Sequence, residues 1–367
     1  MKKLLSCILV LALLAPIAAG ADFAASSRIF DPDLAQKALQ IAESCYMPDV
    51  QQISLRMEGF RRVGLYHEKR EKGDTRHTVM YTVYERSGAD GAVDVIIAIR
   101  GTGAGEWELN MDLMPSGNYD LPYAENFMLA ARDILDTQSI YLTGLSSPAI
   151  LVTGYSRGAA VANMLGAMLT DIFGEERVYV YTFACPRTVR GEVPVYHNIF
   201  NVINPADIIT HLPLLQWGVG RYGADIELPV RDTSLSEAAR AGYDMRKDRT
   251  GDYRSPLEHL EDVQELAARM GDAAPDAAAA YTVRRAFSHP GAAADGEEGI
   301  TMAEFLRNIF ERSETFSALM TRMSRQENDF TEILRAYYSA SGKDGSWITG
   351  MHMPDMYGAW LSVMEGQ

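Results

Sequence analysis

Cysteine is scarce in this chain: 3 in 367 residues, and one of them, Cys7, sits in the apolar run at the start. Cys45 and Cys185 remain. Two cysteines make no disulfide framework, so a single bridge and two buried thiols both stay open. Basic residues are also few. Lys and Arg number 34 against 49 Asp and Glu, a formal charge of −15. Such a chain lacks the basic patches that hold phosphate backbones, and no nucleic-acid partner is expected. Beyond residue 19 no apolar run is long enough to span a bilayer, so no stable transmembrane anchor is expected. His and Cys do not fall at metal-ligand spacing. Gly101-Thr102-Gly103-Ala104-Gly105 lacks the lysine and the Ser/Thr of a phosphate-binding loop. No metal and no cofactor are therefore expected.

What is present begins with Met1-Lys2-Lys3, the apolar stretch Leu4 to Ala19, and the small residues Ala19-Gly20-Ala21. This is the pattern of a secretory signal peptide over residues 1–21, implying a secreted or periplasmic protein. Its removal takes Lys2 and Lys3 with it and moves the charge from −15 to −17. The remaining length suffices for one large domain or two small ones.

The stretch from Ala149 to Ala160 stands out. Ala149 to Val152 reads as a buried strand, and Ala159 to Leu169 as a helix. Between them lies Gly154-Tyr155-Ser156-Arg157-Gly158, of the form G-x-S-x-G. Strand, G-x-S-x-G and helix in that order form the context of a nucleophile elbow, in which flanking glycines relieve a tight turn and the serine is held out. Before it, Asp31-Pro32-Asp33 opens a helix with an apolar face of Leu34, Ala38, Ile41, Ala42 and Cys45, ended by Met47-Pro48. Strands are expected over Phe60 to Glu68, Thr75 to Arg86 and Val93 to Arg100, and a helix over Tyr123 to Thr137. After the elbow come strands at Arg177 to Ala184 and His197 to Ile203. Strands alternating with helices imply an α/β fold with a mostly parallel sheet flanked by helices. From about residue 224 the pattern turns helical, over Leu235 to Arg246, Pro256 to Met270, Asp276 to Phe287, Ile300 to Arg312 and Ser313 to Tyr338. Four segments are therefore expected: the leader 1–21, a core 22–223, a helical insertion or cap 224–345, and a C-terminal segment 346–367 that completes the core.

A serine hydroxyl is a weak nucleophile without a histidine in hydrogen-bond reach, and the histidine needs a carboxylate to orient it. Asp207 follows directly on the strand 197–203, which puts a carboxylate on the sheet edge where the elbow lies. For the base the residues alone leave His211, His259, His289 and His352 open. His211 shares the acid's loop, His259 reads as a surface position on a helix, and His289 lies in a loop.

Taken together, Arg100-Gly101-Thr102 with Trp107 and Asp112, the 154–158 elbow, Ala184-Cys185-Pro186-Arg187, and Asn204 to Pro213 resemble the fungal-lipase-like, or class 3 lipase, family of α/β hydrolases. The resemblance spans roughly residues 32–222 and resumes near the C-terminus. It implies an α/β-hydrolase fold and Asp207 as the acid. It implies an oxyanion hole made by the backbone N–H groups of Thr102 and Arg157. It also implies His352 as the base, since His352 and Tyr357 reproduce the family's C-terminal His-x(4)-Tyr pattern, with His289 in reserve. The family's commonest elbow carries His and Leu where Tyr155 and Arg157 stand. Arg157 is open to two readings, a contact for an anionic substrate group or a salt bridge on the elbow helix. Leu212, Leu214, Leu215 and Trp217 are candidates for an acyl pocket or for ordinary core. The expected activity is exported, cofactor-free hydrolysis of carboxylic esters, above all lipid esters at a lipid–water interface. Acyl transfer, thioester or peptide cleavage with the same triad, or a non-catalytic binding protein on the scaffold, are the alternatives.

Overall fold

Seven strands form the main sheet: β1 (Arg61–Glu68), β2 (Val79–Ser87), β3 (Val93–Ile99), β4 (Pro148–Tyr155), β5 (Val178–Phe183), β7 (Ile199–Ile203) and β9 (Ala224–Glu227). They lie in the order β1-β2-β3-β4-β5-β7-β9. Two further short strands, β6 (Val189–Arg190) and β8 (Val219–Gly220), pair with each other outside it. In this computed structural model the described residues are 23–68, 79–88, 91–101, 124–191, 194–213, 215, 218–246, 252–264 and 346–364. The signal-peptide reading of residues 1–21 and the expected helices between 265 and 338 lie outside them.

The first three strands are antiparallel, and β3, β4, β5, β7 and β9 run parallel. The parallel half is covered on both faces, which is why β3, β4 and β5 read as continuous apolar runs. Strand alternation distributes their side chains between two cores. Ile96, Ala98, Ala149 and Leu151 enter one, under the helices α1 (Pro32–Ser44) and α6 (Thr233–Met245). Val95, Ile97, Ile150 and Val152 enter the other, with residues of α3 (Glu125–Thr143) and α4 (Arg157–Phe173). Burying each such side chain contributes about 1.5–3 kcal/mol, so the sheet around the elbow is rigid. Three shorter helices complete the described fold: α2 (Pro48–Met57), α5 (Ile208–His211) and α7 (Ser346–Met351). A last helix, α8 (Pro354–Leu361), packs on α6 and α1.

Three elements differ from the expectation. The first helix already ends at Ser44, and Met47-Pro48 begins another, because proline fits the first helical position. The expected 123–137 helix runs on to Thr143. The segment expected to be helical from 224 instead begins with β9, which pairs with β7 as the seventh strand of the sheet. Leu228, Val230, Ala239 and Tyr243 then enter the same core as α1. The core therefore continues past residue 223, and the described part of 224–345 packs within it.

Cys45 and Cys185 are free and buried, not bridged. Burial pushes both thiols up to about 12. Both should resist iodoacetamide at pH 8 in the folded protein and react only after unfolding, which mass spectrometry of the alkylated chain reads directly. A second outcome concerns α1. The Asp31 carboxylate accepts from the Leu34 N–H at 3.0 Å and caps the helix. Asp31→Ala should lower the unfolding free energy by about 1 kcal/mol in urea titration, with an unchanged denaturant slope.

Candidate active site

At the end of β4 the chain reverses into α4 through Ser156, whose φ of 54° and ψ of −121° lie outside the usual L-residue regions. The turn is possible because its neighbours lack side chains. A Cβ at Gly154 would strike the Gly158 carbonyl and come within 2.9 Å of the Ala159 nitrogen. A Cβ at Gly158 would strike the Ile99 carbonyl and lie 2.8 Å from the Arg100 carbonyl. The Ser156 N–H donates to the Phe183 carbonyl on β5 at 2.9 Å, and its own carbonyl accepts from Ala159 at 2.9 Å and Ala160 at 3.1 Å. The hydroxyl is left half-buried at the C-terminal edge of the parallel strands.

Asp207 reaches this edge from the loop after β7 and is fully buried. One carboxylate oxygen, Oδ1, accepts from the Ile209 N–H at 3.0 Å. The other, Oδ2, accepts from the Tyr357 hydroxyl at 2.8 Å and lies 2.8 Å from His352 Nδ1. His352 Nε2 lies 3.0 Å from Ser156 Oγ. Three side chains separated by 145 and 196 residues of chain thus form one line, in the order Ser156, His352, Asp207. His352 is buried, in the link between α7 and α8. Burial, reinforced by the Asp207 charge, raises the Tyr357 phenol well above its ordinary value. The phenol therefore stays a donor at neutral pH and adds no second negative charge.

The acid loop is tied down on several sides. Asn204 Nδ2 donates to the Met351 carbonyl at 2.9 Å, joining the acid loop to the histidine's segment. The Asn204 N–H donates to the Tyr357 oxygen at 3.2 Å. Arg221 donates to the Thr210 and Cys185 carbonyls at 2.8 and 3.0 Å and forms a two-point pair with Asp225. His211 contacts the Pro205 carbonyl through Nε2 at 2.9 Å. It closes the acid's own loop, and burial pulls its pKa down. His259, expected on a helix surface, is largely covered. It ends a short 3-10 turn, stacks on Trp347 with centroids 4.6 Å apart, and lies 3.2 Å from Asp262.

Arg157, the other elbow substituent, is the first residue of α4, and its side chain is buried. The first-turn N–H groups of a helix point out of its end, as an oxyanion donor must. Thr102, Trp107, Asp112, His289, Leu214 and Trp217 lie outside the described residues. Leu212 is buried core and Leu215 is exposed. Sequence reasoning passed over the roles of Asn204 and Arg221, whose contacts depend on tertiary structure. It named Tyr357 only as part of a pattern; the carboxylate contact was not legible. Among the described residues no cluster of three or more His, Cys, Asp or Glu could hold a metal ion. None of the described helices is long and apolar enough to cross a membrane.

No protein of curated description matches the chain by sequence. Among solved structures it is similar to the Rhizomucor miehei triacylglyceride lipase, at 15% identity and a TM-score of 0.40, over 53% of this chain and 79% of that one. It is similar to a lipase of Rhizopus microsporus var. chinensis, at 14% identity and 0.39, over 58% and 81%. A Yarrowia lipolytica lipase gives 15% and 0.40, over 53% and 79%. The family model described as lipase (class 3) matches residues 96–217. That segment holds β3 from Ile96, the elbow, β7 and Asp207. By this match residues 96–217 are similar to the class 3 lipases.

Proposed function

We propose that the protein is an exported lipase-like hydrolase of lipid esters, working through Ser156, His352 and Asp207 and an acyl-enzyme. The observation that carries this reading is the continuous hydrogen-bonded line from Ser156 Oγ through the imidazole to the buried carboxylate. Ser156 Oγ attacks the ester carbonyl while His352 Nε2 takes its proton. The Asp207 carboxylate holds the proton on Nδ1, leaving Nε2 as acceptor, and stabilises the imidazolium that forms. The backbone N–H groups of Thr102 and Arg157 receive the oxyanion, each worth about 3 kcal/mol in the transition state. The imidazolium then gives its proton to the leaving alcohol. A water, deprotonated by His352, releases the acid and restores the serine. No cofactor enters. Residues 1–21 serve as the leader, and the C-terminal segment 346–367 completes the core by bringing in the base. The substrate is met at a lipid–water interface.

The purified protein should hydrolyse p-nitrophenyl esters of graded chain length, and a fluorophosphonate should label it at Ser156. Ser156→Ala should abolish labelling. Ser156→Ala, His352→Ala and Asp207→Asn should each lower kcat by about 10⁴-fold or more. His289→Ala should leave kcat within about two-fold. A wild-type protein that neither cleaves any of the esters nor takes the label is a binding protein, and this reading falls.

A further inference from the structure

Tyr155 lies between Gly154 and Ser156 and is the last residue of β4. Its side chain is buried. It does not follow the strand into the core alone but reaches to the segment that carries the base, where its hydroxyl donates to the main-chain carbonyl of His352. The Tyr155 ring lies 5.6 Å from the imidazole and meets Tyr357 edge-on at 5.8 Å and 85°. The two tyrosines hold different members of the site. Tyr357 holds the acid through Oδ2, and Tyr155 holds the backbone of the histidine itself.

The placement of His352 makes this contact consequential. It sits in the two-residue link between α7 and α8, with no strand of its own to fix it. Asn204 ties the preceding residue, Met351, to the acid loop. The Tyr155 contact ties His352 to the strand that presents the nucleophile. Because Tyr155 and Ser156 are adjacent in a rigid turn, a bond from one sets the distance from the other. A base must stand about 3 Å from the proton it removes, and a displacement of about 1 Å can cost about a hundred-fold in rate.

We propose that Tyr155 is a positioning residue whose hydroxyl, bonded to the His352 carbonyl, sets the imidazole at working distance from Ser156. The proposal rests on the hydrolase reading. Its test compares wild type, Tyr155→Phe and a control, Tyr181→Phe. Tyr181 is a buried tyrosine of β5 whose hydroxyl meets the Asp31 N–H, away from the triad. Each protein is assayed for p-nitrophenyl ester hydrolysis, fluorophosphonate labelling rate and thermal unfolding. The low-field proton resonance of the histidine–carboxylate hydrogen bond is recorded for each.

In folded Tyr155→Phe, kcat and labelling rate should fall together by about ten- to hundred-fold, with KM within about two-fold, and the low-field resonance should shift or broaden. Tyr181→Phe should lower the melting temperature and leave kcat and the resonance unchanged. A folded Tyr155→Phe with kcat within about two-fold of wild type overturns the proposal. So does an equal loss of kcat in both variants. Should Tyr155→Phe not fold, a crystal structure of the wild-type protein decides, a Tyr155 hydroxyl more than about 3.5 Å from the His352 oxygen overturning the assignment. An inactive wild type instead removes the hydrolase reading, so the two failures are told apart.

Discussion

The backbone at Ser156 turns through a positive φ that a side-chain-bearing residue seldom takes, at a cost of order 1–3 kcal/mol. Much of the surrounding structure follows from holding that turn. Glycines flank it because the Gly158 backbone approaches Gly154, and that of Ile99 and Arg100 approaches Gly158, more closely than a Cβ allows. The Ser156 N–H is taken by β5, and its carbonyl opens α4. That helix is buried nearly all round, from Arg157 to Ala167 without a break. Its Ala- and Gly-rich sequence lets it lie close to the sheet. Strain at one residue is thus offset by packing along a whole strand and helix.

Two other members of the line come from distant chain, and they need a different kind of support. A fully buried carboxylate is costly unless its oxygens are met by donors. Asp207 meets the Ile209 N–H, the Tyr357 hydroxyl and the His352 ring. Asn204 holds the Met351 carbonyl and Arg221 the Thr210 carbonyl, and between these ties the carboxylate faces the imidazole.

What the sequence shows of this site depends on how local each feature is. The elbow was legible because strand, glycines, serine and helix are contiguous. Asp207 was legible because it closes a strand. His352 was not legible from its own neighbourhood, and four histidines stood open until the His-x(4)-Tyr pattern ranked them. The structure brings His352 to the serine and keeps His211 and His259 in contacts of their own. The helix Pro48–Met57 escaped because its buried face is made by Gln51 and Leu55, and its exposed side carries Val50, Ile53 and Met57. That inverts the usual amphipathic pattern: Gln51 points inward to Ile41, Thr82 and Tyr84. The strand at Ala224–Glu227 escaped because it is short and polar and is defined by pairing with β7.

The inversion at Gln51 and the tyrosine pair at the site share a physical logic. In both, a buried polar side chain joins elements that apolar packing alone would leave free to slide. Apolar contacts are non-directional, so they fix how close two layers lie but poorly fix register along them. A hydrogen bond fixes register within tenths of an ångström, and a buried one broken on one side leaves its partner unsatisfied at about 1–3 kcal/mol. The sheet and its two cores bring β4, the acid loop and the α7–α8 link together. The bonds from Tyr155, Tyr357 and Asn204 choose the register in which Ser156 Oγ, the imidazole and the carboxylate meet. Chemistry that tolerates little displacement therefore sits where the directional bonds are densest, and the apolar core supplies the frame they are fastened to.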